Sequence, residues 1–125
     1  MLFISAGYEM TIYKINPCPK PRQTRSDKWN KRECVMRYRA FADQCRLLGV
    51  KVPEESGHII FHMPIPKSWS KKKKADMDMK HHKQKPDIDN LAKALMDAVY
   101  DDDSCVSDLR ITKKWAMEGS IEIKV

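Results

Sequence analysis

Apolar and polar positions alternate loosely over 8–15, where Tyr8, Met10 and Ile12 interleave with Thr11, Tyr13 and Ile15. This period of two predicts a first strand. The next segment, Asn16-Pro17-Cys18-Pro19-Lys20-Pro21-Arg22, is proline-rich and basic, and predicts a stiff extended connection. From 27 to 48 the period changes to that of a helix. Val35, Tyr38, Phe41, Ala42, Cys45 and Leu48 form one apolar stripe, with Ser26 as N-cap and Gly49 as the C′ glycine. Residues 57–63 alternate again, with Ile59, Phe61 and Met63 on one face and His58, Ile60 and His62 on the other. The stretch 64–86 has no apolar period and contains the run Lys71-Lys72-Lys73-Lys74, so a mobile basic loop is expected around 66–85. Leu91, Ala94, Leu95, Ala98 and Val99 predict a short amphipathic helix. Val106, Leu109 and Ile111, then Gly119-Ser120 and the alternating Ile121, Ile123 and Val125, predict a closing hairpin over 106–125.

These elements predict a single α/β (α+β) domain over 1–125, with a mixed β-sheet of about four strands packed by two helices. No apolar run reaches the roughly 20 residues that span a bilayer. Met1–Met10 lacks the basic start of a signal peptide. Cys18, Cys34, Cys45 and Cys105 have neither zinc spacing nor a disulfide framework. They read as reduced thiols, mostly in the core of a cytoplasmic protein.

The formal net charge of +7 changes the picture, because a basic excess suits a polyanionic partner. Lys20, Arg22, Arg25, Lys71, Lys72, Lys73, Lys74 and Lys85 are candidate DNA-backbone contacts. Spacing does not separate a phosphate-facing surface on the 27–48 helix from a solvated one. His58 and His62 could in principle ligate a metal, but the ordinary reading is a half-exposed strand face.

Against this basic background stand two acidic groups, Asp87-Ile88-Asp89 and Asp101-Asp102-Asp103. Pro86 favours an extended arrival, and residues two apart on an extended chain point the same way. Asp87 and Asp89 are therefore expected side by side with Ile88 turned into the core, and Asp89 or Asn90 capping the helix. After about three turns, the chain could bring 101–103 back toward the first pair. Mg²⁺ takes hard oxygen ligands, commonly one or two carboxylates plus substrate phosphate. A metal so held activates water and steadies a leaving oxygen. Lys93, one turn beyond Asp89, could stabilise transition-state charge. Each acidic group alone is commonly just a cap or a solvated turn; their combination points to metal-dependent phosphodiester chemistry.

The pattern K-P-D-I-D-N-L-x-K-A-x-x-D-A over Lys85–Ala98, followed by D-D-S-x-V at Asp102–Val106, resembles the signature of the RusA family of Holliday-junction resolvases. A looser similarity runs from the proline-rich segment to the end, including Arg110–Trp115. The resemblance implies a small α/β homodimer acting on branched DNA, in a bacterial cell or encoded by its phage. It implies paired symmetric nicks of four-way junctions, in recombination and repair, with Mg²⁺ as cofactor and Mn²⁺ as the alternative. By motif, the catalytic metal ligands fall on Asp87, Asp89 and Asp103, with Asp102 assisting, and the catalytic lysine on Lys93. The alternatives are a non-catalytic basic nucleic-acid-binding protein and a metallonuclease acting on other branched DNA.

Overall fold

The computed structural model describes residues 2–5, 8–21 and 33–125. Its elements are β1 (Leu2–Ser5), β2 (Tyr8–Tyr13), α1 (Glu33–Leu47), β3 (Gly57–Pro64), α2 (Lys71–Met77), α3 (Ile88–Val99), a 3₁₀ turn (Asp103–Cys105), β4 (Leu109–Ala116) and β5 (Ser120–Lys124). The mixed α+β class is as expected, with five strands and three α-helices among the described residues where about four and two were expected.

The strand order is β1-β2-β5-β3-β4. β3 and β4 run parallel, Ile59 opposite Ile111 and Phe61 opposite Lys113, and the other pairs are antiparallel. A parallel pair needs a crossover, and the chain from 65 to 108 supplies it, carrying α2 and α3. The hairpin expected over 106–125 is split. β4 and β5 follow one another, but β3 lies between them and takes the hydrogen bonds of both. Ile59 and Phe61 are fully buried residues whose strand can bury its backbone only by pairing on both edges.

One face of the sheet carries the core. Ile59, Phe61, Met63, Ile121, Ile123 and Trp115 pack with Phe41, Ala42 and Cys45 of α1 and with Leu91, Ala94, Leu95 and Ala98 of α3. The Tyr38 hydroxyl donates to the Ala94 carbonyl at 3.2 Å, tying the two helices together. α1 ends as its sequence requires: Gly49 has φ +63° and the Val50 N–H reaches the Cys45 carbonyl at 3.0 Å. Leu48, placed in the stripe by its spacing, is 49% exposed because it lies beyond the last helical residue. The expected start of this helix, 26–32, lies outside the described residues. Of the four thiols only Cys45 is buried; Cys18 and Cys34 are half-buried and Cys105 is exposed, so three do not fill the core.

The stretch expected to be an irregular loop is partly regular. Ser70 caps α2, its Oγ accepting from the Lys73 N–H at 3.2 Å, and the four lysines open the helix. Residues 79–82 then join β4. The Met79 and His82 N–H groups donate to Trp115 and Lys113, and the Trp115 N–H to Lys80. The physical reason is Trp69, which stacks on Trp115 with ring centroids 4.8 Å apart and gives a charged segment an aromatic anchor.

A candidate active site at the start of the third helix

α3 begins three residues before its apolar period. Asp87 is its N-cap, extended at φ −69° and ψ 147°, and its side chain makes no capping hydrogen bond. Asp89 lies inside the first turn and its Oδ1 accepts from the Asn90 N–H at 2.9 Å. The expected arrangement is thereby corrected. Asp87 and Asp89 do not share one side of an extended strand, and Ile88 is 40% exposed rather than in the core. Helical residues two apart lie about 200° apart around the axis, so the carboxylates fan around the helix start. Both are exposed.

The turn that delivers Asp87 is held from the sheet. Lys113 Nζ donates to the carbonyls of Gln84 and Pro86, each at 2.7 Å. It reaches them because the register places Lys113 opposite Phe61, on the helix-covered face of the edge strand. Burial pushes the Lys113 ammonium below the usual lysine pKa, and the Asp87 carboxylate works in the opposite direction. Sequence reasoning missed Lys113. No local spacing connects it to Asp87; only the pairing of β3 with β4 does.

The second acidic group follows α3 directly. The Tyr100 hydroxyl donates to the Val52 carbonyl and fixes the helix end. The Asp102 carboxylate accepts from the Ser104 N–H at 3.0 Å, and these hydrogen bonds from Ser104 lower its pKa. Asp103 is half-buried and borders a groove with Met96 of α3 and Ile111 of β4. A separate groove joins Ile88 to Ile111 and Lys113, so both acidic groups lie along the flank where α3 meets β4.

They do not close on one another. Among the described residues no three Asp, Glu, His or Cys side chains gather as a metal cluster. The eight residue steps from Ile88 to Met96 correspond to about 12 Å of helix, and that length keeps the groups apart. In donor chemistry the set fits Mg²⁺: Asp87, Asp89, Asp102 and Asp103 offer carboxylate oxygens and no soft ligand. The histidines considered earlier are engaged elsewhere, His62 Nε2 with Glu122 Oε1 at 3.0 Å and His58 Nε2 with Thr112 Oγ1 at 2.8 Å.

Lys93 lies one turn beyond Asp89 and is 63% exposed, with Nζ 3.5 Å from Asp97 Oδ2. Lys20 of the proline-rich segment binds the same oxygen and stands 5.6 Å from the centre of the Tyr38 ring. Burial raises the Asp97 pKa, but bonding and charge from Lys20 and Lys93 outweigh it and hold the carboxyl below its ordinary value. Asp97 is the last aspartate of the quoted K-P-D-I-D-N-L-x-K-A-x-x-D-A pattern but carried no assigned role, although its spacing of four from Lys93 was a readable signal. The other candidate DNA contacts are spread out: Lys71, Lys72, Lys73 and Lys85 are exposed and Lys74 is half-buried. Arg22 and Arg25 lie outside the described residues.

The fold and this flank define a small basic α+β protein with acidic groups ordered around one helix. The profile of the family described as Endodeoxyribonuclease RusA matches residues 14–125, and the chain belongs to that family. It is also 38% identical over 72 residues to the "Uncharacterized protein YqaN" of Bacillus subtilis (strain 168), an alignment covering 51% of each chain. The similarity thus spans about half the length of that relative. No helix among the described residues is long and apolar enough to cross a membrane.

Proposed function

We propose that this chain is a metal-dependent endodeoxyribonuclease that resolves four-way DNA junctions by paired symmetric nicks, working as a homodimer in the bacterial cytoplasm. The observation that carries the reading is the Asp87 carboxylate. It stands at the start of α3 without a capping bond, on a turn clamped by Lys113 and inside the family-matched region. Asp87, Asp89 and Asp103 would hold Mg²⁺, or Mn²⁺ in its place, with Asp102 assisting. When bound, the ion activates water and stabilises charge on the leaving oxygen. The chain's own residues position the substrate. Lys93 offers its exposed ammonium to a phosphate beside Asp89, and Lys20 and the α2 lysines bind backbone. A two-fold junction requires two equivalent cuts, which a C2 dimer supplies.

The test is cleavage of a labelled immobile four-way junction with Mg²⁺, Mn²⁺ or EDTA, beside linear duplex and a flap. Metal-dependent symmetric nicks in the junction alone are expected. Binding without cutting would leave a non-catalytic DNA-binding protein, and equal cutting of every substrate would leave a nuclease for other DNA structures.

A further inference from the structure

The part of the sheet face turned away from the helices that β3, β4 and β5 form is basic, while Met10 and Ile12 of β2 continue it as apolar surface. Register places Arg110, Thr112 and Lys114 of β4 beside His58, Ile60 and His62 of β3, and Glu122 and Lys124 of β5 beside those. Three permanent cations thus share a face with one carboxylate in these strands. That carboxylate is already engaged, by His62 at 3.0 Å and Lys124 at 3.5 Å. Burial lowers the His58 pKa first, and then the charges of Arg110 and Lys124, with a smaller part from Lys114, while Glu122 works in the opposite direction. Ile60 is only 4% exposed and lies outside the helix-covered core cluster.

This surface is continuous with the acidic flank. β4 ends the strand order, residues 79–82 bond along its outer edge only at 113–115, and one groove is lined by Arg110 and Thr112 together with Ile88 and Lys113. A chain of phosphates leaving Asp87 would pass Lys113, cross this edge at Arg110 and reach Lys114 and Lys124 without meeting an unpaired carboxylate of these strands.

We infer that the open sheet face is a binding surface for the DNA sugar-phosphate backbone, with Arg110, Lys114 and Lys124 neutralising phosphates of a duplex arm that enters over the β4 edge. This rests on the nuclease reading above and adds where the DNA lies. The contacts are to phosphate and carry no sequence information.

The experiment is junction affinity over a salt series for wild type and for R110Q/K114Q/K124Q. Exposed Arg39, Arg46 and Lys51 are neutralised as a control with the same loss of charge. Each lost phosphate contact removes about 0.9 from the slope of log K against log salt. The sheet-face variant should therefore lose between about 2 and 3 in slope, and the control less than 1 by the same measure. Equal losses in the two variants, or an unchanged slope in the first, would overturn the inference. So would a change in solution mass of the first variant alone, which would make this face a contact between copies. Wild type that binds but never cuts would sink the nuclease reading and spare this surface. Wild type that binds no DNA would sink both, and cutting with an unchanged slope would remove the surface alone.

Discussion

Lys93 and Lys113 both serve α3, Lys93 from within the helix and Lys113 from the sheet at its start. Lys93 is local: it follows Asp89 by one helical turn, stays 63% exposed and leans on Asp97. Lys113 arrives from the edge strand, is half-buried and spends two of its donors on the carbonyls of Gln84 and Pro86. The first is free to meet a substrate; the second is committed to shaping the turn before Asp87. Two ammonium groups beside one acidic flank thus divide substrate contact from support, according to how many of their hydrogen bonds the fold already uses.

The largest effect should come from removing the carboxylate whose turn Lys113 holds. Asp87→Asn keeps shape and deletes charge, so cleavage should be lost while junction affinity in EDTA is kept. The loss should exceed the roughly 10–100-fold typical of an outer-shell metal partner, measured as single-turnover rate beside a gel-shift titration. Loss of binding in a folded variant would show that Asp87 supports the DNA surface instead.

Exchanging the lysines sharpens the contrast. Lys113→Met should weaken Mn²⁺ binding and slow cleavage together, each by about 10-fold or more, with Lys113→Arg recovering part of both. Lys93→Met should slow cleavage by a comparable factor and leave Mn²⁺ affinity within about twofold of wild type, because its ammonium faces substrate and not the turn. Calorimetric Mn²⁺ titration and single-turnover rates decide it. Identical profiles for the two variants would erase the distinction.

The smallest effect concerns Asp97, which holds Lys20 and Lys93. Its folded pKa lies below the ordinary 3.8. The stability it contributes is therefore fully present above 3.8 and is lost as pH falls through the lower folded value. Asp97→Asn should cost about 1 kcal/mol at neutral pH, and the gap from wild type should close in acid. Urea unfolding over a series from pH 7 down into acid measures it; a gap that does not narrow as the pH falls below 3.8 would mean the loss is not electrostatic.

What was legible in the sequence follows from the range of the forces involved. The apolar periods of β3, α1 and α3 are local and located those elements within a few residues. The αL glycine at the end of α1 was readable because few other residues adopt that conformation. The orientation of Ile88 was not readable. It turned on whether Asp87 or a later residue begins the helix, and a one-residue shift exchanges a core position for an exposed one. α2 was hidden because its four lysines advertise repulsion, while Trp69 and Trp115, which anchor the segment, are distant in sequence. The split of β4 from β5 was invisible to alternation, which orders residues within a strand and not strands within a sheet. For the same reason Lys113 escaped notice and the candidate ligands could be named but not placed.

The ring stack behind α2 has a spectroscopic consequence. Trp115 lies between Trp69, at 4.8 Å, and the His82 imidazole, at 4.2 Å, while the Lys73 ammonium sits 4.0 Å above the Trp69 ring. A cation at that distance polarises the indole beneath it. Under the proposed DNA contact Lys73 would turn from the ring to a phosphate, the indole would lose that field, and its emission would change colour and intensity. With Trp29 replaced by phenylalanine, the two remaining indoles become an unlabelled optical gauge of whether the lysine helix has taken hold of DNA.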